Sequence, residues 1–407
     1  MATTAPEPTY HPHVPGHLLW DNDFNDFCHE GDDPHVAAAR LIGQPPVILG
    51  RSVSFGRPAW ILTNHAAMEQ AFLSPHIFSN QRGGPGAGAL GETAFRMIPV
   101  ELDPPEHGKY RRILHPYFTP QSTRRLDGMV QETCDALIGQ FAGKGGCEFI
   151  ADFGSRLPNL VFLRMMGLPE DMLDQFLVWE KGMIHGKDDA TRTQSTQAVL
   201  GYLGQFIAEQ RKAPGTELMH LILNGEVDGK PMRALDVLGT VFLLYVGGLD
   251  TVYSSLGFIF NHLARDPALQ QRLRNHPADM PKAVDEFTRA FPVARPTRTV
   301  AQDCEFLGAP LRKGDLAVLP TYIAGRDPAV YADPHRIDID RKARSITFAT
   351  GPHLCLGIHL AKREIRTALE GFLQRFRDIR IPAGETWEYH TGGVLGVDRL
   401  PLEWRVG

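Results

Sequence analysis

A single cysteine directly before a long amphipathic helix pattern constrains this chain more than any other feature. Cys355 lies in the segment Phe-Ala-Thr-Gly-Pro-His-Leu-Cys-Leu-Gly, residues 348–357. Beyond it, apolar residues recur at helical spacing, namely Ala361, Ile365, Ala368, Leu369, Phe372 and Phe376. The free N–H groups and the dipole of a helix N-terminus favour an anion, so we expect the pKa of the Cys355 thiol to be lowered.

The residues beside Cys355 suit an axial ligand of haem iron. The glycines of the segment let a bulky planar group come close, His353 is basic, and Leu356 is apolar. A thiolate on haem iron pushes electron density toward bound dioxygen and favours cleavage of the O–O bond. The alternative is that Cys355 is a small hydrophobic residue of the core, as a lone cysteine often is.

The pattern Phe-x-x-Gly-x-His-x-Cys-x-Gly resembles the haem-binding loop of the cytochromes P-450. The resemblance implies haem b with Cys355 as its axial ligand, and contacts of the cofactor with Phe348 and Gly357. It also implies the fold of that family, which is mainly α with a minor β-sheet region and has a long central helix that crosses the haem. We therefore expect residues 1–407 to form a single haem-thiolate monooxygenase domain.

The composition is that of an ordinary globular protein. Of 407 residues, 43% are hydrophobic and 22% are charged, and the net charge of −5 argues against nucleic acid as the main partner. The five cysteines form no Cys-x-x-Cys pair, which fits a reducing cytosol better than disulfides or a zinc site. The N-terminus lacks the basic and apolar stretches of a signal peptide. We expect a cytoplasmic protein.

One segment, 237–260, is apolar and long enough to span a membrane. It carries Asp250 near its middle, and a central carboxylate is costly in lipid. We therefore predict a buried helix at about 234–265, in a protein that does not contact a membrane.

Helix patterns dominate the rest of the chain. We predict helices at 36–41, 267–275 and 281–291, and mostly helical structure over 103–226 with breaks at Pro120, 143–146, Pro158, Pro169 and Pro214. Strands are predicted for 52–64, 297–322 and 392–404, and a glycine-dense loop for 84–91.

The middle of the long helix reads Tyr-Val-Gly-Gly-Leu-Asp-Thr, residues 245–251. Two glycines inside a helix cost roughly 1 kcal/mol each relative to alanine. We predict a local opening of the helix here, where Gly247 and Gly248 leave room for dioxygen, Thr251 donates a hydrogen bond and Asp250 relays protons. These residues resemble the acid–alcohol pair of the family; the alternative is a tolerated kink without a role.

A second group of residues is predicted to bind the two haem propionates. Asp103, as N-cap, predicts a helix start that puts His107 and Arg111 four residues apart on one helical face. The resemblance to bacterial members of the family implies that both bind a propionate, and that Arg298 and His353 do so as well. The alternative is a solvated basic face.

Glu286 and Arg289 resemble the Glu-x-x-Arg motif of the same family. The resemblance implies a structural role, in which the pair supports the core on the haem side. Without that context, an acid and a base three residues apart are more often a surface pair.

Three segments, 98–106, 246–252 and 353–357, are similar to the bacterial camphor hydroxylase group. By that resemblance the substrate pocket consists of Phe95, Met97, Val100, Leu243, Val246, Ala294, Pro296, Gly393 and Val394. Phe95 stands where the camphor enzyme has a tyrosine that anchors the ketone, and phenylalanine cannot donate a hydrogen bond. Ala294 and Gly393 are small, so we predict a terpenoid or norisoprenoid substrate larger than camphor.

The predicted reaction is hydroxylation of an unactivated C–H bond of a small apolar substrate with dioxygen and two electrons. No flavin or nicotinamide domain is visible in the sequence, and the family resemblance implies an iron–sulfur ferredoxin with its reductase as electron source. The predicted docking patch for the ferredoxin consists of Lys109, Arg112, Arg344, Lys362, Arg363 and Arg366. The alternatives are a peroxide-driven haem-thiolate oxygenase and a non-catalytic haem-binding or electron-transfer protein, and the Asp250–Thr251 pair disfavours both.

Overall fold

Helices form the larger part of the computed structural model, which describes residues 12–29, 33–54, 56–81, 95–186, 188–342 and 344–406. The α-helices are α1 (Phe24–Cys28), α2 (Pro34–Ala39), α3 (His65–Phe72), α4 (Glu106–Phe118), α5 (Pro120–Thr123), α6 (Asp127–Gly139), α7 (Arg156–Met166), α8 (Leu173–His185), α9 (Asp189–Gln210), α10 (Glu217–Leu223), α11 (Ala234–Leu263), α12 (Pro267–Asn275), α13 (Met280–Ala290), α14 (Thr321–Ala324) and α15 (Ile358–Arg375). This is the predicted class, mainly α with a minor β-sheet region.

The strands are short and form several small sheets. They are β1 (Leu19–Asp23), β2 (Val47–Ser54), β3 (Arg57–Leu62), β4 (Phe78–Ser79), β5 (Gly146–Glu148), β6 (Glu226–Val227), β7 (Lys230–Pro231), β8 (Thr297–Val300), β9 (Cys304–Phe306), β10 (Ala309–Leu311), β11 (Leu316–Val318), β12 (Phe376–Arg380), β13 (Glu388–His390), β14 (Gly396–Arg399) and β15 (Pro401–Val406). The largest sheet has the order β1-β2-β3-β11-β8-β4, and a second has the order β12-β15-β5. The strands β13 and β14 form an antiparallel hairpin.

Most predicted elements are present, with small shifts at their ends. Pro158 is an exception, because it does not interrupt a helix as predicted. It lies in the first turn of α7, where its missing N–H would have no partner in the helix. The predicted loop at 84–91 lies outside the described residues.

The helix α11 runs through the interior of the protein. It packs against α7, α9, α15 and β14, and residues such as Val241, Tyr245 and Leu256 are completely buried along it. Among the described helices it is the one long and apolar enough to cross a membrane. Its contacts with the other elements account for that apolar character, as expected for the central helix of a large core.

Glu286 and Arg289 form a buried ion pair on α13. The guanidinium donates to both carboxylate oxygens, at 2.7 and 2.8 Å, and the two side chains are only 4% and 2% exposed. Arg289 also donates to the carbonyl oxygens of Gly325 and Pro334, while Glu286 accepts the N–H of Asp338 at 2.8 Å. The pair therefore fastens α13 to the loop before the Cys355 segment.

We expect Arg289→Met to lower the free energy of unfolding by about 3 kcal/mol or more, because it leaves the Glu286 carboxylate buried without its main partner. Chemical denaturation measures the change. The matched control is Arg312→Met, which removes an exposed pair with Asp303 and should cost less than about 1 kcal/mol. An equal loss in both variants would contradict the structural role of the pair.

Candidate haem-thiolate site

A tight backbone loop carries Cys355 to the start of α15. The N–H of Cys355 donates to the carbonyl of Phe348 at 2.9 Å, and Gly351 has φ +71°. A Cβ on Gly351 would lie 3.1 Å from the Phe72 carbonyl oxygen, so the turn needs glycine for its conformation and for space. Gly357 is the N-cap of α15, which places the thiol at a helix N-terminus as predicted.

The surroundings of the thiol have opposing electrostatic effects. Cys355 is exposed on one side and packed by protein on the other. The packing raises the pKa of the thiol above its ordinary value, although the N–H groups of Gly357 and Ile358 and the Arg111 guanidinium lower it. The predicted net lowering of the thiol pKa is therefore wrong for the protein alone, because desolvation outweighs the helix terminus.

Two histidines from distant segments meet beside the cysteine loop. The ring centroids of His107 on α4 and His353 are 4.1 Å apart, and Asn80 Nδ2 lies 3.3 Å from His353 Nδ1. Burial is the main reason why the pKa of His107 falls to about 4 and that of His353 to about 3. Both rings are thus neutral at pH 7, and their buried Nε2 atoms have no hydrogen-bond partner among the described residues.

The predicted capping of α4 by Asp103 is wrong. The helix begins at Glu106 without a side-chain cap. The Asp103 carboxylate instead accepts the N–H of Asn80 at 2.8 Å and the hydroxyl of Ser79. Asp103 therefore ties the start of α4 to β4, and His107 still reaches the loop of His353.

The two predicted arginines differ in their contacts. Arg298 is buried, and burial lowers its pKa to about 10; its described hydrogen bond goes to the neighbouring carbonyl of Thr297 at 2.9 Å. Arg111 donates to the carbonyls of Pro352 and Leu354, so it braces the cysteine loop itself. Its predicted contact with a propionate stays a prediction.

These donors fit a flat dianion next to a thiol. Arg298 is a buried cation, and the two histidines keep unsatisfied buried nitrogens, so each would gain from an acceptor. A haem with two propionates supplies such acceptors while its iron takes the thiolate. The residues present are thus chemically suited to this cofactor.

The centre of α11 differs from the prediction in one respect. The helix is continuous through 245–251 and does not open. Gly247 is nevertheless exposed in mid-helix, and a Cβ there would meet nothing within 4 Å. Room for a small ligand therefore comes from the missing side chain. The Thr251 hydroxyl donates to the Gly247 carbonyl at 3.3 Å.

Asp250 is buried on α11 and accepts a hydrogen bond from the Ser254 hydroxyl at 3.2 Å. A second buried acid, Glu180 on α8, was not singled out by the sequence. Burial raises its pKa well above the usual range, and the nearby charge of Asp250 adds to the rise. No sequence motif contains Glu180. It comes close to Asp250 only because α8 packs on α11.

The predicted pocket residues come from four segments. Phe95 meets Phe242 of α11 edge to face, with ring centroids 5.4 Å apart, and Ala294 pairs with Val394 in an isolated β-bridge. Eight of the nine are partly accessible: Phe95, Val100, Leu243, Val246, Ala294, Pro296, Gly393 and Val394. Met97 is only 1% exposed, so its side chain presents almost no surface to a ligand.

Comparisons with known proteins give the family. The family model described as Cytochrome P450 matches residues 190–277 and 280–402. Probable cytochrome P450 127A1 of Sinorhizobium fredii is 34% identical over 376 residues, which are 91% of this chain and 90% of that protein. Linalool 8-monooxygenase of Pseudomonas putida is 28% identical and covers 83% of this chain and 87% of its own length. The crystal structure of CYP101J2 matches 99% of this chain and 100% of its own, with 30% identity and a TM-score of 0.87.

The chain belongs to the cytochrome P450 family, which confirms the resemblance seen around Cys355. It is a haem-thiolate monooxygenase, and its cofactor is haem b with a cysteine thiolate as axial ligand.

We expect Arg298→Met to release haem several-fold faster than the unchanged protein, because the variant loses the buried cation that would pair with a propionate. Transfer of haem to excess apomyoglobin measures the rate. Arg295→Met is the matched control, since Arg295 is equally buried three residues earlier but donates to Asn25. Equal haem loss in both variants would contradict the assignment of Arg298.

Proposed function

We propose that this protein hydroxylates an unactivated C–H bond of a small terpenoid or norisoprenoid ketone, with Cys355 as the axial ligand. The observation that carries the proposal is the exposed Cys355 thiol at the N-terminus of α15. Bound haem would supply the activation of dioxygen and the oxidation of the C–H bond. The chain's own residues hold the cofactor, exclude water and deliver protons.

Asp250 and Thr251 are the proposed proton-delivering residues. Asp250 is buried, and its oxygen Oδ1 is held by Ser254. Thr251 keeps its hydroxyl beside the exposed backbone of Gly247. The proposed path runs from the Asp250 carboxyl to the Thr251 hydroxyl, which would leave the Gly247 carbonyl and donate toward the open space beside Gly247.

The proposed substrate class rests on the apolar pocket residues and on one relative. The space at Gly393 is open, since a Cβ there would meet nothing within 4 Å. Linalool, which gives linalool 8-monooxygenase its name, is a small terpenoid.

The proposed electron donor is an iron–sulfur ferredoxin with its reductase, acting in the cytoplasm. Three of the six predicted docking residues, Lys362, Arg363 and Arg366, line one surface groove beside α15, the helix that follows Cys355. Each is paired with an acid in the protein alone, as Lys362 is with Asp285 at 2.7 Å. Acidic groups of a ferredoxin would replace those acids as partners of the three basic side chains.

We also propose that residues 1–407 form one domain.

The thiolate assignment predicts a spectrum. The dithionite-reduced protein under carbon monoxide should show the far-red-shifted absorption of sulfur-ligated haem, and Cys355→Ser should abolish it. Cys304→Ser, at another partly exposed cysteine, is the control and should keep it. Absence of the band from the unchanged protein would refute the whole proposal.

Thr251→Ala should keep haem and substrate binding but should lower the product formed per electron several-fold and release more hydrogen peroxide, because proton delivery is misdirected. Product, peroxide and oxygen uptake with a ferredoxin couple measure this. Ser255→Ala is the control, since its hydroxyl donates to the Thr251 carbonyl at 2.9 Å on the same helix. Unchanged coupling in Thr251→Ala, or equal turnover with peroxide alone, would contradict the proposed role.

Titration of the ferric protein with camphor and with ionone-type ketones tests the substrate class. We expect the larger ketones to displace the Soret band at lower concentration, because Phe95 cannot anchor camphor and the small pocket residues leave space. A lost hydrogen bond of this kind is worth roughly 1–2 kcal/mol. Tight binding of camphor with a full shift, and no shift with the ionones, would refute the assignment.

A further inference from the structure

Asp250 is the inner end of a series of polar side chains on α11 and the hairpin β13–β14. Its Oδ1 atom accepts the Ser254 hydroxyl at 3.2 Å, and both residues are buried, with 1% and 0% of their surface exposed. Ser254 lies one helical turn after Asp250, on the side of α11 that packs against β14. A buried hydroxyl that donates to a carboxylate is the simplest unit of a proton path.

Two glycines bring the hairpin close to this side of α11. A Cβ on Gly257 would lie 2.7 Å from the Val397 Cβ, so α11 accepts β14 only because Gly257 has no side chain. A Cβ on Gly396 would overlap the Cε1 and Nε2 atoms of His390 and would lie 3.1 Å from Ser254 Oγ. His390 Nε2 and Ser254 Oγ thus border the same space left by Gly396, at a separation that one water can bridge.

The outer end of the series reaches solvent. His390 Nδ1 lies 2.9 Å from Asp398 Oδ1, with the Asp398 side chain 52% exposed and that of His390 19% exposed. Burial is the main reason why the pKa of Tyr253 lies well above its usual range, and the negative charges of Asp250 and Asp398 raise it further. Exposure therefore falls from Asp398 through His390 to the buried pair Ser254 and Asp250.

We propose that His390, oriented by Asp398, feeds protons from solvent through the Ser254 hydroxyl to the Asp250 carboxylate. The inference rests on the proposed function, because it takes Asp250 as the donor to the oxygen chemistry. Neither residue of the hairpin belongs to a motif of the sequence. The assignment comes from the two close approaches at Gly257 and Gly396.

The proton moves in a balanced step. Protonated His390 gives the proton on Nε2 to a bridging water, which passes one of its protons to Ser254 Oγ; the Ser254 hydroxyl hydrogen passes to Asp250 Oδ1, and His390 then takes a proton from solvent. One turnover consumes the substrate, one dioxygen, two electrons from the iron–sulfur carrier and two protons, and yields the alcohol and one water. The path supplies those protons and no other atom.

A purely structural role for His390 makes different predictions. A structural His390 would pin the hairpin through Asp398, and a glutamine could replace it in that contact. A relay needs a group that takes up and releases protons near neutral pH, which glutamine does not. His390→Gln therefore separates the two roles, while Gly396→Ala keeps the histidine but pushes its ring away from Ser254.

The test uses the holoenzyme with a ferredoxin couple and α-ionone as substrate. We expect His390→Gln and Gly396→Ala to lower kcat roughly tenfold with little change in the α-ionone dissociation constant, and to raise the solvent isotope effect in D₂O. Adding His390→Gln to Asp250→Asn should cost nothing further, because both act on one path. Glu388→Gln, an exposed neighbour on β13, is the control and should behave as the unchanged protein.

A second readout does not depend on turnover. In the reduced, carbon-monoxide-bound protein labelled with ¹⁵N-histidine, Ser254→Ala should shift the Nε2 resonance of His390 and leave Nδ1 nearly unchanged. Normal kcat and isotope effect in His390→Gln, alongside a slow Asp250→Asn, would overturn the relay and leave the proposed function intact. Normal rates in Asp250→Asn would overturn both, and an unmoved Nε2 resonance would overturn the Ser254 contact.

Discussion

The structure depends on a cysteine loop whose backbone closes immediately before a helix begins. The hydrogen bond from the Cys355 N–H to the Phe348 carbonyl and the left-handed turn at Gly351 leave the thiol at the first N–H groups of α15. Packing raises the thiol pKa even so, and a metal ion that replaces the proton would favour the thiolate. The exposed thiol at this helix terminus therefore fits the proposed role of Cys355 as the axial ligand.

The polar groups around this centre separate into two sets. Beside the loop, Arg298, His107 and His353 are buried donors with few acceptors. In and around α11, Asp250 and Glu180 are buried acids. The first set suits the anionic edge of a cofactor, and the second suits the supply of protons. Buried polar groups are costly unless they are paired, so each set marks a place where a partner or a reaction is expected.

Sequence patterns predicted the positions of the helices near the site more accurately than the hydrogen bonds and pKa values of the side chains there. The motif around Cys355 and the Gly-Gly-Leu-Asp-Thr segment of α11 were sufficient to identify the family. The capping of α4 by Asp103, the opening of α11 and the lowered thiol pKa were wrong. The first and the third depend on neighbours from distant segments, namely Ser79 and Asn80 for the cap and the packing around Cys355 for the pKa.

The sequence by itself determined the fold class, and it singled out the thiol and the proposed acid–alcohol pair, because these follow from local spacing and from motifs. Only the tertiary structure brought Glu180 toward Asp250, joined His107 to His353, and set His390 beside Ser254. Those contacts join residues far apart in the chain, and they form only where the side chains in between are small enough. At Gly257 and Gly396 the missing Cβ allows β14 and His390 to approach α11 closely, and the sequence alone does not show that this strand lies there.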